Sequence, residues 1–417
     1  MSIQPSGFPK RIESIRIRIN SLDSLRKLVA LPPAYDITAR QWSALDSQLS
    51  SVKARLLSKL KSESRKYLPH IQDLREAGVF NALLGDIELE MARAFVIYDT
   101  YADVLTQRHS PELGPALAGC DALAWDAIYR NHPALSAVEP PLVYCDRGFG
   151  ASTLREGVSF PDKIPNPLPL IQIPYSRLKE KHNLTSILHE AGHEAMVRLD
   201  LVRTLPRALS VALSRAGAPE EIARLYSLWT AEIGPDFWTF CLSGLAQPAT
   251  VKEILALPRS HVFRISWIDP HPPPYLRVLL SVQWCRQVWG RGLWDKWERE
   301  WKDLYPLQGI SSEEEKILSD AVRYIPLVGS TLLNTRFKVL EKGRISDLFD
   351  LAALAPTQLQ KVIDDGPHGS LDLKGLSPCK QLAVFRLLRE QNKLNEEQQD
   401  KIMAKWLWKL GEKRRYL

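Results

Sequence analysis

Leu188-His189-Glu190-Ala191-Gly192-His193-Glu194 sets two histidines four residues apart, with a glutamate directly after the first. On a helix that spacing puts both imidazoles on one face, a turn apart, where they can share a metal ion. The flanking residues favour a helix: Leu184, Ile187, Leu188, Ala191, Ala195 and Met196 supply apolar positions, and Thr185 or Ser186 stands near its start. Gly192 weakens such a helix by about 1 kcal/mol against alanine, which is tolerable where another element or a substrate must come close. Glu190 points towards the same space without having to bind the metal. A carboxylate so placed can take a proton from a metal-activated water.

Two histidines leave a zinc site one protein ligand short, because catalytic zinc takes three and keeps a fourth position open. The next candidate lies in Trp229-Thr230-Ala231-Glu232-Ile233-Gly234-Pro235-Asp236-Phe237-Trp238. Glu232 follows His193 far enough on for the chain to turn and return on another helix, so it is the expected third ligand, with Asp200 or Asp236 next. Asp236 would sit one turn beyond Glu232 on the same face, placed to accept the outer N–H of a ligating histidine. The aromatic neighbours imply a partly buried setting, and buried carboxylates need a partner. Gly234-Pro235 between the two acids is the kind of pair that breaks a helix. A third piece is Asp269-Pro270-His271-Pro272-Pro273-Pro274-Tyr275-Leu276-Arg277. Its prolines make a stiff extended segment that holds His271 at the mouth of a helix beginning near Tyr275. Either the His271 imidazole or the Tyr275 hydroxyl is placed to stabilise an oxyanion, and Arg277 to pair with a buried carboxylate or hold the loop.

With these pieces in order, the sequence resembles the gluzincin class of zinc metallopeptidases, in which HExxH is followed by a glutamate ligand on a later helix. The His271-Pro272-Pro273 run with Arg277 behind it is most similar to the CAAX prenyl endopeptidase and bacterial heat-shock membrane protease family. The resemblance spans roughly Leu168 to Trp289. It implies His189, His193 and Glu232 as zinc ligands, Glu190 as general base and Asp236 as the acid behind a ligand. It also implies His271 and Arg277 as support, and the segment Leu168 to Ile173 as the strand that pairs with an extended substrate. Two departures stand out. That family is usually membrane-embedded, and its aspartate usually follows an alanine, where Pro235 stands here.

Working outward, apolar residues recur at helical spacing from Ile37 to Lys66, with Asp36 as a candidate cap, and again from Val79 to Leu105. A shorter helix is expected from about Pro111 to Tyr129. Between Pro140 and Pro174 the short apolar runs Leu142 to Cys145 and Leu168 to Ile173 read as strands. Pro169 and Pro174 argue for a sheet edge for the second run. The basic end, Lys401 to Leu417, with Trp406 and Trp408, reads as a packed helix with solvated lysines. The expected fold is mainly α. A zincin-like catalytic core (136–300) carries a small antiparallel sheet, flanked by helical domains (1–135 and 301–417).

With 417 residues and five scattered cysteines lacking any C-x-x-C pair, the chain has no need of disulfides, and a reducing, cytoplasmic setting is expected. No stretch approaches eighteen uninterrupted apolar residues, so no membrane span is expected. The net charge of +7 comes from 55 basic residues mixed with 48 acidic ones. Without a binding signature that mixture argues against nucleic acid. The function expected is zinc-dependent hydrolysis of a protein or peptide substrate. The alternative is a zinc-containing module that docks a partner without catalysis.

Overall fold

The computed structural model describes residues 7–71, 73–148, 150–155, 165–365 and 373–413. Residues 1–6, the middle of the Pro140 to Pro174 stretch and the last four residues of the basic tail lie outside those ranges. The protein is mainly helical with a small sheet.

The chain opens with α1 (Gly7–Asn20), the single turn α2 (Leu25–Leu28) and the long pair α3 (Ala39–Tyr67) and α4 (Leu74–Thr106). The apolar stripe Leu45, Leu49, Val52, Leu56 and Leu60 is buried against Leu84, Ile87 and Met91, which is why the two helices lie together. Thr38, not Asp36, caps α3. Its hydroxyl accepts from Gln41 N while the Gln41 side chain accepts from Thr38 N, the reciprocal T-x-x-Q arrangement. Asp36 instead accepts the Trp42 indole N–H at 2.7 Å.

Next come α5 (Leu113–Ile128), the turn α6 (Pro133–Ser136) and the strands β1 (Leu142–Asp146), β2 (Ser152–Leu154) and β3 (Leu170–Pro174). The strand order is β1-β3-β2, with β1 parallel and β2 antiparallel to β3. This corrects two expectations: the sheet is mixed, and the segment around Leu170 is its centre instead of an edge. Pro169 precedes the ladder and Pro174 ends it, which leaves the N–H groups between them free to pair. Strand alternation then splits the side chains between two cores. Leu142 and Leu170 join the core of α1–α4, while Val143, Cys145, Ile171 and Ile173 join the larger core beyond the sheet.

That larger core is built on α7 (Thr185–Arg198), α8 (Leu201–Arg215), α9 (Glu220–Ser243), α10 (Ala246–Ile254), the turn α11 (Arg259–Val262) and α12 (Pro274–Trp289). It continues through α13 (Leu293–Leu304), α14 (Ser312–Asn334), the two-residue strands β4 (Arg336–Phe337) and β5 (Gly343–Arg344), α15 (Pro356–Asp364), α16 (Pro378–Glu390) and α17 (Glu396–Lys413). Helix α5 belongs here, not with α3 and α4. It is apolar nearly all round and buried against α7 and α17. The tail helix α17 is packed as expected, with Met403, Trp406, Leu407 and Leu410 buried. Among the described residues no helix is long and apolar enough to cross a membrane.

Candidate metal centre

Helices α7 and α9 lie side by side at the middle of the larger core. From Trp229 to Ser243, α9 is buried almost all round, so an acid on it has no route to water except a cavity. The helix runs unbroken through Gly234-Pro235, although Pro235 has no N–H to donate to the turn before it. Gly192 of α7 lies directly against this proline. A Cβ at Gly192 would sit 3.0 Å from Pro235 Cα and 3.3 Å from its carbonyl oxygen. Another element, then, is what needs the small residue.

This close approach brings the four-residue spacings of the two helices into contact. His189 lies between both carboxylates of α9: its Nδ1 is 2.9 Å from Asp236 Oδ1 and its Nε2 is 3.1 Å from Glu232 Oε2. His193 Nε2 lies 3.6 Å from the other Glu232 oxygen. The two imidazoles stand nearly perpendicular, with ring centroids 4.9 Å apart. Ligand atoms of His189, Glu190 and His193 all lie within 4.8 Å of one another. From α12, Arg277 grips Asp236 with a fork, Nε to Oδ2 at 2.5 Å and Nη2 to Oδ1 at 2.9 Å, the bidentate geometry that guanidinium favours.

The electrostatics follow from burial and these contacts. Burial pushes the Glu232 carboxyl up, but the His189 hydrogen bond and the neighbouring positive charges outweigh it and hold it at about 2. Burial likewise opposes ionisation of Asp236, yet Arg277 and His189 keep it well below the ordinary range. Burial works against charge on His189, but Asp236 and Glu232 raise it to about 10. Burial and the charge on His189 push His193 down to about 4. Glu190 is raised, chiefly by burial. One imidazole thus shares a proton with two acids while its neighbour stays neutral and keeps a lone pair.

His189, His193 and a nearby carboxylate could hold a metal ion such as zinc. Donors about 2.0–2.1 Å from a common tetrahedral centre stand roughly 3.3 Å apart; one Glu232 oxygen lies 3.1 Å from His189 and the other 3.6 Å from His193, on either side of that value. Two neutral imidazoles and a carboxylate are a catalytic zinc set. A dication near His189 Nε2 and Glu232 would take the place of the proton they share. Asp236 already holds the outer nitrogen of His189, which sets its orientation. Asp200 takes no part: it begins α8 at φ 51° and binds Arg203 on the surface.

The centre floors a cavity of about 870 Å³ lined in part by His189, Glu190, His193, Glu232, His271 and Arg277. Pro273 and Pro274 start α12, and His271 stands just outside it at the mouth, side chain 58% exposed. Its Nδ1 is held 2.7 Å from Asp269 Oδ1 and its Nε2 reaches to 3.6 Å from Glu232 Oε2. Tyr275 is not brought to the site. Its ring is buried against Phe263, with centroids 5.3 Å apart, because the first turn of α12 carries it inward, and it does not line the cavity.

Part of the wall comes from residues that carry no pattern in the sequence. The sheet edge at the cavity is β2, with Ser152 and Thr153 lining it, in place of the Leu168 to Ile173 segment. Three residues are too few to show strand alternation. Arg177, Gln247 and Thr250 also line the cavity, and no spacing pattern marks them. No protein-family model matches the chain, and neither a curated protein nor a solved structure matches it.

Proposed function

We propose that this protein is a zinc-dependent peptidase with a gluzincin-like core. The observation that carries the reading is the approach of His189 and His193 to the two Glu232 oxygens, at 3.1 and 3.6 Å, on the floor of a large cavity, with Glu190 beside them. Zinc held by those three residues would polarise a scissile carbonyl and make water acidic enough to attack at neutral pH.

The side chains divide the remaining work. Glu190, buried and with a raised pKa, accepts the proton from the attacking water and returns it to the leaving amine. Asp236 fixes the ring plane of His189, and Arg277 fixes Asp236. His271, tethered by Asp269 at the mouth, presents an N–H to the oxyanion as it forms. The edge of β2 offers main-chain groups to an extended peptide running along the cavity. Free, buried cysteines fit a reducing, cytoplasmic setting.

Metal content and two variants test this together. Protein purified without added zinc should carry close to one zinc per chain. Glu190→Gln should keep the metal and lose roughly 10²–10⁴-fold in hydrolysis, whereas Glu232→Ala should release the metal. Absence of zinc uptake on titration, or loss of zinc from Glu190→Gln, would overturn the assignment.

A further inference from the structure

The cavity wall ahead of His189 is made of groups that the reaction above does not use. Helix α7 begins here, with Thr185 and Ser186 on the lining. No side chain caps this helix and its first turn holds no acidic residue, so the positive end of its dipole stands at the wall, although Ile187 N already donates to Leu184 O. Arg177 lines the same cavity with its side chain 5% exposed. Its Nη1 reaches the half-exposed Glu180 at 3.2 Å, while its Nε is buried without a hydrogen-bond partner among the described residues. Burial works against this charge, and the nearby Glu253 is already engaged by Arg386 and His182.

Three more cavity-lining residues have buried oxygens with no partner among the described residues: Ser186 Oγ, Thr250 Oγ1 and Gln247 Oε1. Gln247 gives its amide N–H to Ser281 Oγ at 3.0 Å, which leaves its carbonyl to accept. Four residues on the lining of this cavity thus each carry a buried polar atom with no hydrogen-bond partner among the described residues, where buried polar groups are nearly always paired. The donors are a guanidinium, two hydroxyls and a helix N-terminus, which together suit an anion. The one surplus acceptor suits an amide N–H next to that anion.

We propose that Arg177, Ser186, Thr250 and the start of α7 form a carboxylate-binding subsite, which selects peptides bearing a carboxylate close to the bond that is cut. The inference rests on the peptidase reading and adds a substrate class to it. Ser186 precedes His189 by three residues, about 4.5 Å along the helix. An extended peptide advances about 3.3–3.6 Å per residue. A carboxylate seated here belongs to a residue one or two positions from the scissile bond, as a chain terminus or as an acidic side chain.

The test compares peptides of one core sequence on zinc-loaded full-length protein: a C-terminal acid, its amide, and amides carrying glutamate at positions flanking the bond. The wild type should prefer the acid, or a glutamate-bearing amide, roughly 10- to 100-fold in kcat/KM, the worth of a charge-assisted hydrogen bond. Preference for the acid points to a terminal carboxylate, and preference for one glutamate amide to a side chain. In Arg177→Met the preference should fall to near unity with zinc content unchanged. Should that variant fail to fold, Thr250→Val should reduce the same ratio. Equal rates on the acid, its amide and every glutamate-bearing amide, or a preference that survives both substitutions, would overturn the subsite. A second readout needs no turnover: calorimetric binding of N-acetyl-alanyl-alanine against its amide. Tighter binding of the acid, lost in Arg177→Met, supports the subsite even if no peptide is cut, a result that would fault the peptidase reading alone. Equal binding of the two probes counts against the subsite even if peptides are cut.

Discussion

Asp236 shows how much one side chain carries in this site. It accepts from His189 Nδ1 and takes both arms of Arg277, all within a setting that leaves it 4% exposed. Asn in its place keeps the size but loses the charge, so Arg277 is left as a buried cation with a weaker partner. Breaking a buried pair costs about 3–5 kcal/mol when one partner is removed, and loss of a group that orients a metal ligand costs about 10–100-fold in affinity. Asp236→Asn should therefore lower both the thermal transition and the zinc affinity measured against a competing chelator. Wild-type zinc affinity in this variant would show that His189 is oriented by something else. The spacing of Asp236 from Glu232 was visible in the chain, but Arg277 as its partner was only one of two roles open to that residue.

At the scale of elements, the decisive contact is α7 on α9 at Gly192 and Pro235. Replacing Gly192 by alanine gains about 1 kcal/mol of helix propensity, yet its Cβ meets proline backbone atoms that cannot swing aside. Overpacking of this kind costs typically about 1–3 kcal/mol. The net expectation is a lower melting temperature for Gly192→Ala, with weaker zinc binding because α9 carries Glu232 and must retreat. A melting temperature at or above wild type would mean the helices have room to spare. Helix α5 offers a second case. A Cβ on Gly119 would stand 2.2 Å from the carbonyl oxygen of Leu407 in α17. Gly119→Ala should unseat α17 and destabilise the protein by more than ~1 kcal/mol, read as a lower urea midpoint. An unchanged midpoint would mean that α17 contributes little to the core.

Across the whole molecule, Glu253 links distant segments. It receives Arg386 of α16 at 2.8 Å and lies 2.7 Å from His182 Nε2, joining α10 to the C-terminal helices and to the turn before α7. Burial pushes its carboxyl up, but the His182 hydrogen bond and Arg386 hold it far below the usual carboxylate range. A depressed carboxyl adds stability that is complete above its unfolded pKa of about 4.3. That stability is lost as the pH falls below this value towards the folded pKa, because protons then bind the unfolded chain more readily. The difference in urea midpoint between wild type and Glu253→Gln should be largest near pH 6–7 and shrink between about pH 5 and 3. A difference that stays constant with pH would remove charge from the account of this link.

Sequence alone determined what is local. The four-residue spacing of His189 and His193 puts them on one face of any helix that forms there, and Glu232 and Asp236 repeat the device. The long amphipathic periods of α3 and α4 were equally plain. What needed the tertiary structure was every relation between segments far apart in the chain. The meeting of α7 with α9 depends on a glycine facing a proline, and each residue by itself reads as a helix breaker. The central place of β3 depends on partners on both sides, whereas its flanking prolines spoke for an edge. Helix α5 left its apparent neighbours because its buried surface extends all round, and α7, α16, α17 and β1 together cover it. Arg177 and Thr250 carry no periodic signal, since a cavity wall is assembled from single residues of separate elements. Periodicity reports which face of an element is buried; it does not report which other element buries it.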